Sequence, residues 1–288
     1  MSEARPHRSV LYLPGSNARA LEKAKTLPAD ALILDLEDAV APEAKPAARE
    51  QVCAAAGSGD YAERVLTIRT NGLDTQWYAE DVAAAAAAGP DAVVVPKVGS
   101  AVDVHRVAAS LDAADAGRDI AIWAMIETPA AVLRVAEIAA CTERLTTLVM
   151  GTNDLLSELR AVGSPDRSAL VAALSQCVLA ARAFGKTILD GVYNDVTDTP
   201  GFEAECRQGR TLGFDGKTLI HPGQLEACNR AFAPSPDEIA HARKVIEAFE
   251  TSLREGRGVA TVGGKLIENL HVADARRVLA LADALGLA

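Results

Sequence analysis

Two carboxylates in this sequence stand where an uncompensated negative charge is hard to maintain. Glu127 follows the apolar letters WAMI and precedes Thr128-Pro129, a pair typical of the start of a helix. Asp154 follows the apolar letters LTTLVM within the motif GTND. A buried carboxylate must be solvated, paired or bound to a cation, because desolvating it alone is too unfavourable. Both residues are therefore candidates for a metal site, although Glu127 could instead stabilise a helix N-terminus and Asp154 could cap a turn.

Further acidic side chains end other apolar runs, and like charges at one rim are unfavourable unless a cation lies among them. The five histidines and five cysteines are scattered, without HExxH or CxxC spacing, which disfavours a zinc site. Mg²⁺ instead prefers oxygen ligands and typically takes one or two carboxylates, with water and substrate oxygens completing its shell. The residues thus predict a Mg²⁺ site and leave open whether Mn²⁺ can replace Mg²⁺. The carboxylates expected at the rim are Asp35, Glu37, Asp38, Glu127, Asp154 and Asp190.

Eight apolar runs, alternating with helix-like segments, predict the elements that carry these residues. Strands that are apolar throughout are typical of a parallel sheet covered on both faces, and eight β–α units predict a (β/α)₈ TIM barrel of the α/β class. An open doubly wound sheet is the alternative, which the lack of GxGxxG after the first strand disfavours. In the barrel, strands 5 and 6 are neighbours, so Glu127 and Asp154 could face one ion. The runs are 9–13, 31–36, 64–69, 92–96, 120–126, 145–150, 186–190 and 214–220.

The pattern changes after residue 232. The letters APSPDE form a linker, 237–255 is a charged amphipathic helix, and a glycine-rich extended piece leads into a last helix. We therefore expect a TIM-barrel catalytic domain at 1–232 and a C-terminal helical and extended arm at 233–288. An arm outside eight complete units either covers the barrel mouth or contacts a neighbouring subunit.

The overall charge narrows the classes of partner. A formal net charge of −10 and a pI near 5.1 argue against nucleic acid or an anionic membrane surface as the main partner. The sequence has no uncharged apolar run of membrane-spanning length, and its N-terminus lacks the apolar core of a signal peptide. With an odd number of cysteines, we expect reduced thiols and a cytoplasmic protein.

Basic side chains also stand at the predicted strand ends. Arg69 in RTNG carries the planar fork that matches a carboxylate, although a rim ion pair with Glu37 or Asp38 is the alternative. Lys97 in VPKV is a Schiff-base candidate that a metal site would make redundant. His221, directly before a proline, is expected to fix a turn.

Eight motifs in this order resemble the citrate lyase β-subunit-like family, which includes malyl-CoA and citramalyl-CoA lyases within the HpcH/HpaI aldolase superfamily. The resemblance implies a Mg²⁺-dependent carbon–carbon lyase that cleaves or forms a 3-hydroxyacyl thioester. Its other reactants would be a 2-oxo acid, such as oxaloacetate or glyoxylate, and a thioester of the acetyl-CoA type. The motifs span nearly the whole chain: RSVLYLPGSN, LILDLEDAV, RTNGLDT, VVVPKV, MIETP, GTNDL, GKTLIHPGQ and GGKLIEN.

The resemblance also implies roles for individual residues. Glu127 and Asp154 would hold the metal, and Arg69 would bind the carboxylate of the 2-oxo acid. Glu37 and Asp38 would support the waters of the metal and the substrate.

The catalytic base of such enzymes is an aspartate in a GKMID segment, on the arm of a neighbouring subunit. Here the segment reads GKLIEN and places Glu268 at that position. Glutamate is a competent base but one methylene longer, so its catalytic role competes with that of a charge at the start of the last helix. The resemblance further implies a homo-oligomer, a trimer or a hexamer.

The thioester carrier is expected at the turn Pro14-Gly15-Ser16, whose N–H groups could bind phosphate at the start of a helix. Lys97 and Thr152 are placed with the substrate-binding residues at the rim. A solvated surface is the alternative for the basic residues around the turn, which are Arg5, Arg8, Arg19, Lys23 and Lys25.

Three activities therefore fit the sequence. The first is the lyase reaction on a citryl, malyl or citramalyl thioester. The second is a thioesterase or malate-synthase-like activity on the same scaffold. The third is a carrier-dependent subunit of a larger lyase complex that is inactive alone. Release of free CoA, compared with release of a 2-oxo acid, separates the first two.

Overall fold

The computed structural model describes residues 5–61, 64–114 and 120–287. Within them, eight parallel strands form a closed barrel in sequence order, and β1 pairs with β8. This closing pair confirms the predicted TIM barrel and excludes the open sheet. The strands are β1 (Ser9–Pro14), β2 (Ala31–Asp35), β3 (Val65–Arg69), β4 (Ala92–Val95), β5 (Ala121–Ile126), β6 (Leu145–Met150), β7 (Thr187–Asp190) and β8 (Gly216–Leu219).

The helices of the barrel unit follow the predicted alternation, with two differences. The helical segment between β5 and β6 is divided in two, because Arg134 leaves the helical conformation (φ −110°, ψ 9°). The long helix before β7 begins only at Val171, because Arg167 adopts a positive φ of 51° that a helix cannot accommodate. The helices are α1 (Ala18–Ala24), α2 (Lys45–Gly57), α3 (Tyr78–Ala88), α4 (Ala101–Ala113), α5 (Pro129–Leu133), α6 (Val135–Ala140), α7 (Thr152–Glu158), α8 (Val171–Ala183), α9 (Thr199–Leu212) and α10 (Leu225–Phe232), with short 3₁₀ turns at Pro42–Ala44 and Pro222–Gln224.

Two apolar clusters hold the barrel unit together. The larger one lies between the strands and the surrounding helices, and a smaller one fills the barrel around Ile33, Val94 and Trp123. Because successive strand residues point to opposite faces, β1 to β7 supply side chains to both clusters, whereas β8 supplies Leu219 to the larger one. The inward positions at the carboxyl ends of the strands are then left to form a site.

Residues 233–287 belong to a second compact unit, separate from the unit His7–Phe232. It contains α11 (Pro236–Arg254), a hairpin of β9 (Ala260–Val262) and β10 (Lys265–Ile267), and α12 (Asn269–Ala284). A capping box at Ser235 starts α11, and both predicted arm helices are present. The contact of this arm with a neighbouring subunit stays a prediction. None of the described helices combines the length and apolarity needed to cross a bilayer.

Candidate active site

A cavity of about 400 Å³ opens at the carboxyl ends of the barrel strands. TIM-barrel enzymes place their active sites at this face. The sequence-predicted residues that line the cavity are Pro14, Asp35, Asp38, Arg69, Glu127, Thr152 and Asp154, and the lining also includes Tyr12, Met125 and Asn194.

Arg69 is held at the floor of this cavity by two carboxylates. Its Nε and Nη2 donate to the two oxygens of Asp35, each at 2.6 Å, and its Nη1 lies 2.7 Å from Glu37 Oε2. Asp35 stands beside Arg69 in the β2–β3 register, which makes the bidentate geometry accessible. Arg69 is thus oriented rigidly, with its charge balanced by these neighbours.

The rim ion pair considered from the sequence is therefore present, but its partners differ in part. Glu37 is one of them, whereas Asp38 is exposed and lines the cavity. Asp35 is the partner that sequence reasoning placed on the rim without a role. Its position inside the barrel follows from strand alternation, since Asp35 shares the inward face with Ile33. The proposed support of substrate by Glu37 and Asp38 stays a prediction.

Glu127 is almost fully buried, as the apolar run before it predicts, with 2% of its surface exposed. Its Oε1 accepts a hydrogen bond of 2.5 Å from the main-chain N–H of Lys97. Burial raises the pKa of this carboxyl from an ordinary 4.5 to about 8, an effect that the Lys97 N–H opposes. The charges of Glu37 and Asp154 add to the increase.

Lys97 acts on the site through its main chain. It adopts a positive φ of 55°, a conformation that costs energy for a residue other than glycine, and this aims its N–H at Glu127. Its side chain is exposed. The sequence offered no signal for this main-chain role, because the motif VPKV indicates the side-chain amine of Lys97 as the functional group. Contact of the Lys97 side chain with substrate stays a prediction.

Asp154 lies in the first turn of α7 and is exposed toward the same cavity. Among the described residues, none donates a hydrogen bond to its carboxylate, which leaves both oxygens available. Gly151 at the start of the helix is packed against Glu127, because a Cβ there would lie 2.4 Å from Glu127 Oε2. A glycine is therefore required at position 151 for the Glu127 side chain to occupy this place.

The donor set fits a hard divalent cation. Glu127 is desolvated and forms no ion pair with any described residue, so a positive charge beside it would relieve the cost of its ionisation. No group of three or more Asp, Glu, His or Cys side chains in the described chain is arranged as a complete ligand set. Two carboxylates with water and substrate oxygens match the preference of Mg²⁺. The assignment of Glu127 and Asp154 as ligands stays a prediction.

The metal-free protein is expected to lose stability as the pH rises. Burial, opposed by Arg69, raises the pKa of Glu37 to about 7, and burial raises that of Glu127 to about 8. The folded state therefore holds protons more tightly than the unfolded state, and this contribution is complete below pH 4.5 and lost through pH 7–8. Urea unfolding in EDTA should show the decline, and saturating MgCl₂ should reduce it. A free energy of unfolding that rises over this range in EDTA would contradict the raised pKa values of these two buried carboxyls.

The loop after β1 differs from the expected phosphate-binding turn. The N–H of Gly15 donates to Asp35 O at 2.8 Å, and a Cβ at Gly15 would lie 2.6 Å from the same oxygen. The glycine is thus needed for close packing, and its N–H is not available to a phosphate in this conformation. Pro14 lines the cavity and Ser16 is exposed. A role of Ser16 in binding the carrier stays a prediction.

The basic stretch around this loop is partly neutralised by ion pairs within the barrel unit. Arg8 pairs with Asp30 at 2.7 Å, and Lys25 pairs with Glu22 and Asp60. The side chains of Arg19 and Lys23 are exposed. The charge available to a phosphate-bearing carrier is therefore smaller than the sequence suggests.

Lys45 on α2 forms hydrogen bonds to two of the loops that form the site. Its buried ammonium donates to Leu36 O, Glu37 O and Asn71 Oδ1 at 2.9, 3.0 and 2.6 Å. Asn71, two residues beyond Arg69, in turn donates to Asp81. Sequence reasoning missed Lys45, since a lysine in a helix ordinarily faces water.

Lys45→Met is expected to destabilise the fold by about 2–3 kcal/mol, because it leaves three acceptors without their charged donor. Urea unfolding at neutral pH measures this loss. The exposed Lys23 provides the matched control, and Lys23→Met should change the free energy of unfolding by less than about 0.5 kcal/mol. Equal effects of both substitutions would show that the Lys45 contacts add no stability.

Asp190 does not join the carboxylates at the cavity, contrary to the expectation of six at one rim. It is fully buried and pairs with Arg167 at 2.7 Å and with Lys217 at 3.3 Å. Asp190 and Lys217 are neighbours in the β7–β8 register, and Glu205 of α9 completes the cluster. These charges compensate one another within the barrel wall.

His221 has the structural role expected of it. Its Nδ1 accepts a hydrogen bond from Gly223 N at 3.0 Å and caps the 3₁₀ turn, while Gln224 accepts from the His221 N–H. The His221 side chain therefore stabilises this turn.

Glu268, within the second unit, is exposed at the N-cap of α12. Its main-chain N–H donates to His271 Nδ1 at 3.0 Å. This placement agrees with a charge at the start of the last helix, and its catalytic role stays a prediction.

Comparisons with known proteins extend over nearly the whole chain. Residues 8–222 match the family model described as HpcH/HpaI aldolase/citrate lyase. The chain is 53% identical to a (3S)-malyl-CoA thioesterase of Cereibacter sphaeroides over 283 residues, covering 98% of this chain and 97% of that protein. It is 36% identical to the citrate lyase subunit beta of Escherichia coli over 290 residues, covering 99% and 96%.

A solved structure also matches this chain over nearly its whole length. CitE from Mycobacterium tuberculosis, in complex with magnesium, acetoacetate and coenzyme A, is 29% identical, with a TM-score of 0.80. The match covers 98% of this chain and 99% of that one.

Proposed function

Because this chain belongs to the HpcH/HpaI aldolase/citrate lyase family, we propose that it is a Mg²⁺-dependent thioesterase acting on a 3-hydroxyacyl-CoA of the malyl-CoA type. The family gives the coarse class, an enzyme of CoA-thioester lyase type. The single observation that carries the finer assignment is the 53% identity to a (3S)-malyl-CoA thioesterase along 98% of the chain. The cavity supports it, since Arg69, Glu127 and Asp154 line one space suited to a hydroxy acid.

The proposed reaction is hydrolysis of the thioester. An oxygen–carbon bond forms between water and the thioester carbonyl, the carbon–sulfur bond breaks, and the thiol leaves with the proton. Malate and free CoA are the products.

Residues of this chain would bind and orient the acid end of the substrate. Glu127 and Asp154 would hold Mg²⁺, which when bound supplies a Lewis acid for substrate oxygens. Arg69, fixed by Asp35 and Glu37, would bind the substrate carboxylate with the N–H groups that those partners leave free. Glu268, supplied by the arm of a neighbouring subunit, is our candidate for the base that takes a proton from the attacking water.

Carbon–carbon cleavage, ranked first from the sequence, becomes the second candidate. The identity of 36% to a citrate lyase beta subunit favours it, and the same groups would serve a lyase. The third candidate function is that of a carrier-dependent subunit of a larger lyase complex. We also propose that the arms join copies of this chain into a homo-oligomer, a trimer or a hexamer. At the metal site, Mn²⁺ would be able to replace Mg²⁺.

Two product assays on the purified chain test the function. With (S)-malyl-CoA and Mg²⁺, we expect free thiol to appear without glyoxylate, and EDTA to stop its release. Glyoxylate and acetyl-CoA without free thiol would overturn hydrolysis in favour of the lyase. Turnover of carrier-linked thioesters alone would overturn the proposed hydrolysis of a CoA thioester in favour of the carrier-dependent subunit. Citramalyl-CoA and citryl-CoA are tested as further substrates in the same assays.

A further inference from the structure

Tyr12 on β1 presents a hydrogen-bond donor to the cavity that the proposed chemistry does not use. Its side chain packs against the cluster inside the barrel and lines the cavity. The phenolic Oη lies 3.9 Å from Met125 Sδ. A thioether is a weak acceptor, whereas the hydroxyl of an enclosed tyrosine ordinarily has a strong one. This O–H can therefore form a stronger hydrogen bond to a bound ligand.

Three other polar side chains on the cavity wall, Thr218, Asn153 and Asn194, are engaged within the protein. Thr218 Oγ1 donates to Asp190 O at 3.0 Å. The side-chain amides of Asn153 and Asn194 bond to each other in both directions, at 3.1 and 2.8 Å. Tyr12 differs from them, because its partner is a sulfur atom at long distance.

The ring of Tyr12 also lies against Arg69, with the guanidinium carbon 4.8 Å from the ring centroid. A ligand held by the Arg69 fork would thus have its neighbouring atoms beside the phenol. Burial, opposed by Arg69, raises the pKa of Tyr12, and the charge of Asp35 adds to the increase. The phenol therefore stays protonated at neutral pH and acts as a donor.

We propose that Tyr12 is a specificity residue that donates a hydrogen bond to the hydroxyl oxygen next to the substrate carboxylate. The inference rests on the proposed function for its substrate class. A charged, forked group such as Arg69 matches a carboxylate, and a single neutral donor matches a single neutral oxygen. A site built to bond a hydroxyl discriminates strongly against the analogue that lacks it.

The test compares two diacids that differ by one hydroxyl, (S)-malate and succinate, with Mg²⁺ present. Binding is measured by calorimetric titration to the wild type and to Tyr12→Phe. The substitution should weaken malate about tenfold, as expected for one hydrogen bond, and succinate less than about twofold. Tyr61→Phe is the matched control, because Tyr61 Oη donates to Leu21 O at 2.9 Å and Tyr61 is not part of the cavity lining. This control should leave both affinities unchanged.

The outcomes distinguish this inference from the proposed function. If Tyr12→Phe weakened the binding of malate and succinate equally, Tyr12 would contact the carboxylate and the inference would be overturned. No change in either affinity would also overturn it. Failure of the wild type to bind malate more tightly than succinate would also overturn it. A wild type that turns over no thioester, combined with selective loss of malate binding in Tyr12→Phe, would refute the function and uphold the hydroxyl contact.

Discussion

Glu127→Gln is expected to lower kcat/KM for the thioester by at least about a thousandfold, a loss of about 4 kcal/mol in transition-state stabilisation. The amide keeps the size of the side chain and an oxygen that can accept from Lys97 N, so the local geometry is retained. What it removes is the negative charge that a divalent cation requires. The effect should therefore appear in catalysis and metal binding.

Thermal unfolding with and without MgCl₂ reports on the metal directly. A cation that binds the folded state at 100 times its Kd stabilises it by about 2.7 kcal/mol, and this gain should be absent in Glu127→Gln. In EDTA the variant should be at least as stable as the wild type, because a desolvated carboxyl with a raised pKa has been made neutral.

Glu158→Gln is the matched control, since Glu158 is exposed at the end of α7. It should preserve turnover and the Mg²⁺-dependent stabilisation. If Glu127→Gln behaved in the same way, Glu127 would not be a metal ligand.

Arg69→Lys is expected to reduce both stability and activity. Arginine uses three nitrogens to bond Asp35 and Glu37, and the single ammonium of lysine cannot reproduce this fork. Two carboxylates with under 10% of their surface exposed would then be poorly compensated. We expect a loss of about 2–4 kcal/mol in the free energy of unfolding and a drop of about a hundredfold or more in kcat/KM.

Urea unfolding and steady-state kinetics measure the two effects separately. Arg106→Lys is the control, because Arg106 is half exposed and its nearest carboxylates are 3.6 and 3.9 Å away. It should alter the free energy of unfolding by less than about 0.5 kcal/mol. An Arg69→Lys variant with unchanged stability and KM would show that neither the buried pairs nor a substrate contact depend on the fork.

The barrel itself could be predicted from the sequence because its determinants are local. Continuous apolar runs separated by helical segments specify parallel strands covered on both faces, and all eight strands lie where those runs stand. The residue types at the strand ends were visible for the same reason. Glu127 after a buried strand and Asp154 after the next could be placed at the rim without knowledge of any contact.

The partners of those residues depended on the tertiary structure. Asp35 meets Arg69, and Asp190 meets Lys217, because the registers of β2–β3 and β7–β8 set them side by side. Register in a closed barrel is fixed by all the strands together, and a shift of one residue would reverse which side chains face inward.

The sequence by itself thus determined a (β/α)₈ barrel with an acidic rim, since periodicity and residue type are properties of neighbouring letters. The tertiary structure alone decided that the Lys97 main chain binds Glu127, that Lys45 fastens the loops and that Tyr12 faces the cavity. These contacts join residues 8 to 113 positions apart, and such pairings arise when the chain closes on itself.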